Sequence, residues 1–210
     1  YSLMAIAMLI TGAVAYVVGN NNAMLSVIFG SPLKWVVMFA PLAVVFGLSA
    51  TINKLSAGAA QLLFWAFSAL VGLSISYIFA VYTGMSISQT FLVTAIAFSG
   101  LSIWGYTTKK DISAWGSFLM MGVIGLIVAS IINIFMASAA MQFAVSSIGV
   151  LIFAGLTAYD TQRIKNDYIQ MSRSGNTDWL AKSAIMGALS LYLNFLNMFM
   201  FLLSFMGNRN

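Results

Sequence analysis

The stretch Trp179-Leu-Ala-Lys-Ser-Ala-Ile-Met-Gly-Ala-Leu-Ser-Leu-Tyr-Leu-Asn-Phe-Leu-Asn-Met-Phe-Met-Phe-Leu-Leu-Ser-Phe-Met206 decides the class of this protein. It holds a single charged side chain, Lys182, near its start. A helix crossing a bilayer needs about 20 mostly apolar residues, and this run exceeds that. Within it Ser183, Gly187, Ser190, Asn194 and Asn197 recur every third or fourth residue, and Ser204 follows. That spacing puts small and polar groups on one face of a helix. Leu189, Leu191, Leu193, Phe195 and Leu196 fill the other faces. A polar stripe in hydrocarbon turns to protein or to water. It is either a helix–helix contact, with side-chain hydrogen bonds of about 0.6–2 kcal/mol each, or the lining of a cavity or pore.

Six charge-poor stretches precede it: about Ser2–Val18, Leu33–Ala50, Ala59–Val81, Ile87–Tyr106, Ala114–Met136 and Phe143–Asp160. They use up most of the 210 residues, so a single seven-helix domain over residues 1–210 is expected. The composition agrees. Apolar residues make up 61% of the chain and charged ones 6%, against roughly a quarter charged in a soluble domain. A soluble globular fold is excluded. So is a nucleic-acid binder, because a net charge of +5 on so few charges makes no basic groove. The fold class expected is an all-α integral membrane protein with the bilayer as its first partner. The chain begins at Tyr1 and runs straight into apolar sequence, which reads as a missing N-terminal cytoplasmic segment.

There is no His and no Cys. His/Cys zinc sites, thiol redox chemistry, disulfides and a Ser–His protease are therefore excluded. A retinal protein needs a lysine deep in its last span, whereas Lys182 sits at the start. An intramembrane aspartyl protease needs two buried acids, and only one is on offer. The expectation is a protein that is not an enzyme and has no cofactor. Fourteen Met residues read as core filler.

Lys and Arg set the orientation. Lys54, Lys109, Lys110, Arg163, Lys165, Arg173 and Lys182 follow spans two, four and six, and only Lys34 and Arg209 fall on the other side. The even-numbered loops are thus expected in the cytoplasm. Asn210 lies outside if the seventh stretch crosses fully, and inside if it is re-entrant. Trp35, Trp104, Trp115 and Trp179 lie near proposed span ends, as an aromatic belt would place them.

Of the four acids, Asp111, Asp167 and Asp178 fall in proposed loops. Asp160 adjoins an apolar run, in Gly155-Leu-Thr-Ala-Tyr-Asp-Thr-Gln-Arg-Ile-Lys165. One reading makes it an interfacial carboxylate paired with Arg163 one turn on, with Thr161–Asp178 a solvated cytoplasmic loop. The other continues the helix to about Asp167, because Ile164 and Tyr168 keep an apolar rhythm, and leaves Asp160 facing the bundle. Ionisable groups inside a membrane are costly, at about 2.5–3.5 kcal/mol on insertion scales, and tend to be functional. Further small-residue faces read as close packing: Ser68, Gly72 and Ser76; Gly122, Gly125, Ala129, Asn133 and Ala137; and Ser146 and Gly149 on the span that carries Thr157 and Asp160.

The segment Gly155–Lys165 resembles the signature of the Bax inhibitor-1 family, the transmembrane Bax inhibitor motif proteins. So do Gly187-Ala-Leu-Ser-Leu-Tyr-Leu-Asn-Phe-Leu-Asn197 and Phe205-Met-Gly-Asn208, whose ending resembles the bacterial branch. The Lys109-Lys110-Asp111 turn and Trp115-Gly-Ser-Phe118 add to it. The resemblance implies six helices wrapped around a central seventh, a pH-sensitive calcium leak, a cytoprotective role under stress and, for this branch, the bacterial inner membrane. It also implies a gate in which an aspartate on span six and another on span seven share a proton. Asp160 matches the first, but Asn194 stands at the second. Two close carboxylates titrate as a coupled pair. Asp160 with Asn194 keeps a hydrogen bond but has one proton site, and it is a weaker calcium ligand set than two acids.

The expected function is therefore a calcium or cation leak channel. Asp160 and Asn194 form its constriction and Asp160 is the metal-contacting group. Ser183, Ser190, Asn197 and Thr157 are supporting polar residues, and Lys54 and Arg163 are the candidate basic latch. A membrane-embedded regulator of another membrane protein, such as a quality-control protease, is the alternative. A proton-coupled transporter would also suit a lone buried carboxylate, although no substrate pocket is visible.

Overall fold

Helices in hydrocarbon must satisfy their backbone internally, so this chain is helical wherever it is apolar. The structure, a computed structural model, describes residues 1–172 and 177–210. Its helices are α1 (Ser2–Gly19), α2 (Asn22–Phe29), α3 (Leu33–Thr51), α4 (Ala57–Ile75), α5 (Ile78–Val81), α6 (Gly84–Thr107), α7 (Trp115–Met136), α8 (Ala139–Ser172) and α9 (Thr177–Met206). Among the described residues seven helical segments are long and apolar enough to cross a membrane, with α4 and α5 together forming the third. The class expected from sequence, an all-α chain with seven spans, is the one observed. Arg173, counted above with the cytoplasmic charges, lies outside the described residues.

The sixth span departs most from expectation. α8 runs for 34 residues and ends at Ser172, so the stretch after Asp160 is helix as far as it is described. The reading of Thr161–Asp178 as a loop is corrected to that extent. No Gly or Pro interrupts the chain between Thr157 and Ser172, so the i→i−4 ladder continues after hydropathy has fallen away. α9 is unbroken over 30 residues, about 45 Å at the helical rise, and contains no reversal of the kind a re-entrant segment needs.

Polar residues shape the connections. The Asn cluster after α1 is both a break and a start: Asn21 Oδ1 accepts from Met24 N at 3.1 Å and caps α2. The third span is interrupted at Ser76-Tyr77, where Ser76 Oγ donates to Leu73 O at 2.8 Å. Pro41 lies inside α3 and has no N–H to offer Val37 O. Ser74 Oγ of α4 donates to that carbonyl instead. Between α7 and α8 the chain reverses through Ala137 at φ 48°. There Asn133 Oδ1 accepts from Ser138 N at 3.0 Å.

The described residues gather into two compact units. One comprises Tyr1–Gly84, Gln170–Tyr192 and Arg209–Asn210. In it α1 and α3 both pack on α4, and a Cβ at Gly72 would lie 2.7 Å from Thr11 O, so the backbones of α1 and α4 meet there. The other comprises Met85–Ile169 and Leu193–Asn208. In it a Cβ at Gly105 would run into Ala158 O, which marks an equally close approach of α6 and α8. The C-terminal span is the most buried of the seven, at 56% of its apolar window against 11% for α3 and α7. Side chains such as Phe46, Phe118 and Phe135 are exposed, as lipid-facing residues are.

Candidate functional site, a buried carboxylate held from two sides

Asp160 lies well inside α8, with three turns of helix still to come, and only 6% of it is exposed. Of the two readings offered by the sequence, the buried one is correct. Its charge is compensated within its own unit. Arg163 Nη2, one turn on, lies 2.9 Å from Asp160 Oδ1. Asn194 Nδ2 of α9 donates to Asp160 Oδ2 at 2.7 Å. An ionised carboxylate only accepts, which fixes the amide nitrogen of Asn194 toward it. The two partners differ. Asn194 is buried, whereas the Arg163 side chain keeps 44% of its surface exposed and lies over the Tyr159 ring at 5.7 Å. One bond to the carboxylate therefore ties α8 to α9 in a dry setting, and the other connects it to the outside.

The helix turn beyond Asp160 is also fixed. Gln162 Nε2 donates to Lys110 O at 2.8 Å, and Gln162 Oε1 accepts from Ile112 N at 3.1 Å. Lys165 Nζ donates to Tyr106 O at 2.8 Å. The polar residues after Asp160 thus hold the end of α6 and the α6–α7 connection. Close by, the exposed Asp111 accepts from Ser113 N at 2.9 Å, and hydrogen bonding to Ser113 holds its carboxyl below the usual range.

The polar stripe expected on α9 runs along one continuous helix whose residues divide between the two units. Ser183, Gly187 and Ser190 belong to the first unit, and Asn194, Asn197 and Ser204 to the second. Asn197 Nδ2 turns back to Leu193 O at 2.8 Å, and Ser204 meets Ser146 Oγ at 3.2 Å. Thr157 is fully buried and donates to Phe153 O at 2.8 Å. Leu189, Leu191 and Phe195 are buried as well, so burial does not set the stripe apart. Lys54 is exposed in the α3–α4 turn of the first unit; the basic group held against Asp160 is Arg163. Lys182 is buried and paired with Asp178 Oδ2 at 2.8 Å. Among the described residues no three acidic side chains cluster as a metal site. Arg163 and Asn194 take one site on each oxygen of a carboxylate that offers about four lone-pair sites.

Two polar features escaped the sequence reading. In the first unit, Tyr192 is wholly buried, and its hydroxyl meets Thr11 Oγ1 at 2.7 Å. Thr11 has one proton, which faces Ala7 O at 2.9 Å and Ser68 O at 2.8 Å, so Tyr192 is the donor of that pair. Phe64 and Phe67 stand edge-on to its ring at 5.9 and 5.6 Å. In the second unit, α6 carries a buried row, Ser86, Thr90, Thr94 and Ser102. Its spacing in fours was the available signal, but it was hidden in a span read only for hydropathy.

The sequence of the chain has relatives among known proteins. The family model described as "Inhibitor of apoptosis-promoting Bax1" matches residues 1–210. The chain is 46% identical to the inner membrane protein YbhL of Escherichia coli strain K12 over 210 residues, covering 100% of this chain and 89% of that one. An uncharacterized protein of Caulobacter vibrioides is 46% identical over 216 residues, covering 99% and 86%. A Rickettsia prowazekii protein is 40% identical over 209 residues, covering 100% and 87%.

Proposed function

The chain belongs to the Bax inhibitor-1 family, and on that premise we propose that it is a cation leak pathway of a bacterial inner membrane. Calcium is its cargo and the Asp160–Asn194 contact its closed constriction. The observation that carries this reading is the buried carboxylate with one oxygen on Asn194 and the other on a half-exposed Arg163. The membrane assignment draws on the name of the Escherichia coli relative, an inner membrane protein. The even-numbered loops, with Lys54, Lys109 and Lys110, face the cytoplasm on the positive-inside rule.

Ionised, Asp160 accepts from both partners and ties α8 to α9. Protonation removes the charge that holds Arg163 and turns one oxygen into a donor. The tie to Asn194 no longer has a charge behind it, and a charge-assisted bond becomes a neutral one of roughly half the strength. One carboxyl takes one proton, so the response to pH is shallower than that of a coupled acid pair. The test is calcium flux from proteoliposomes at about pH 6 and about pH 8, on either side of neutrality. Asp160→Ala breaks the same tie and is expected to raise basal flux and remove its pH dependence. The same flux and the same profile in that variant would refute the assignment.

A further inference from the structure

A hydroxyl in a membrane helix can bond the carbonyl one turn back, and in this chain several do. Thr11, Ser68, Thr94, Thr107 and Thr157 each donate to the i−4 carbonyl at 2.7–2.9 Å. Ser102 does not. Its Oγ is buried and has no hydrogen-bond partner among the described residues, although the residue is only 6% exposed. An unsatisfied hydroxyl in such a place costs about 1–3 kcal/mol, and a fallback lies within its own helix.

The face it occupies can be identified. Ser102 lies one turn from Gly105, whose missing Cβ admits the Ala158 backbone of α8. Phe98, one turn the other way, packs edge-on against Phe195 of α9 at 5.4 Å. The row Thr90, Thr94, Phe98 and Ser102 therefore faces the two helices that carry Asp160 and Asn194, within the same unit. Thr94 commits its proton to Thr90 O, so it presents lone pairs to that face. Neutral oxygens with their protons turned away suit water and hard cations.

We infer that this face of α6 is a water-accessible lane for cations, with Ser102 Oγ as an oxygen ligand to water or cation and the Phe98–Phe195 contact as its apolar narrowing. The inference rests on the reading of Asp160 as part of a cation pathway, and its test separates the two. The chain has no cysteine, so single substitutions report cleanly. Ser102→Cys and Thr94→Cys would be compared with Ser99→Cys, on the exposed side of the same helix, in the full chain in proteoliposomes. The probe is a small cationic methanethiosulfonate, read by intact mass. That reagent needs a thiolate, which forms in water and not in hydrocarbon, so both lane thiols are expected to label at least about tenfold faster than Ser99→Cys. Calcium at millimolar concentration should slow them. Labelling of Ser102→Cys and Thr94→Cys no faster than the control overturns the lane. Thr94→Cys alone decides it if Ser102→Cys does not fold. Flux in the parent with unlabelled lane thiols leaves the Asp160 reading standing and removes the lane. Labelled lane thiols without flux in the parent do the reverse.

Discussion

Tyr192 and Asn194 are near neighbours on α9, and each anchors a buried polar cluster in a different unit. The first cluster is neutral and closed. The Tyr192 hydroxyl ends on Thr11, Thr11 ends on backbone carbonyls, and aromatic rings wall the side. It carries no formal charge, and no member reaches solvent. The second cluster is charged and open at one end. Asp160 is buried, Asn194 is buried, and Arg163 extends to the outside. The difference teaches which of the two is a fastener and which can be a switch. Both tie helices together, but only the charged one has a bond strength that depends on a proton.

The comparison can be broken by removing each anchor in turn. Tyr192→Ala should cost the most stability, about 3–5 kcal/mol as for other buried aromatic truncations, read as a lower thermal midpoint in detergent. Tyr192→Phe should cost only about 0.5–1.5 kcal/mol, because Thr11 keeps its carbonyl partners. It should leave the pH profile of flux unchanged. A shifted profile in Tyr192→Phe would show that the neutral cluster is not a mere fastener.

Asn194→Leu attacks the charged anchor. It strips a donor from a buried carboxylate, a bond worth about 1.5–3 kcal/mol, and should weaken the protein while raising basal flux. Equal stability and equal flux would mean that the α8–α9 tie carries nothing. The smallest effect is expected at Asp111. Its carboxyl is held below the usual range by Ser113, so whatever it contributes is present above its unfolded-state pKa and is lost only as pH falls through the lower folded value. Asp111→Asn should therefore leave flux between about pH 6 and pH 8 as it was.

Much of this was legible in the sequence, for physical reasons that also mark where it stopped. Hydropathy showed the seven spans because the bilayer demands length and apolarity, and it located all but the sixth closely. Charge ends the apolar run of the sixth at Asp160, whereas helix bonding continues where no Gly or Pro stops it. The burial of Asp160 was one of two open readings, and the extension of α8 to Ser172 decides between them. Arg163 was in view as a partner from its position one turn on. The part of Tyr192 is not legible locally, since its partner Thr11 lies at the far end of the chain and nothing in the sequence links them. The row on α6 was missed because Ser and Thr barely lower the mean hydropathy of a span. Gln162 falls in a stretch that reads as a loop, and only the folded chain shows both ends of its amide on the α6–α7 connection.

The most direct measurement of the central claim is the pH dependence of calcium flux in Asn194→Asp beside the parent. At 194 a carboxylate would stand within hydrogen-bond distance of Asp160, where the amide nitrogen now lies 2.7 Å from Oδ2. Two acids so close share a proton and titrate as a pair. The account predicts a shallow response in the parent between about pH 6 and about pH 8, and a clearly steeper one in Asn194→Asp. Identical pH profiles in the two, with both proteins folded and conducting, would contradict it.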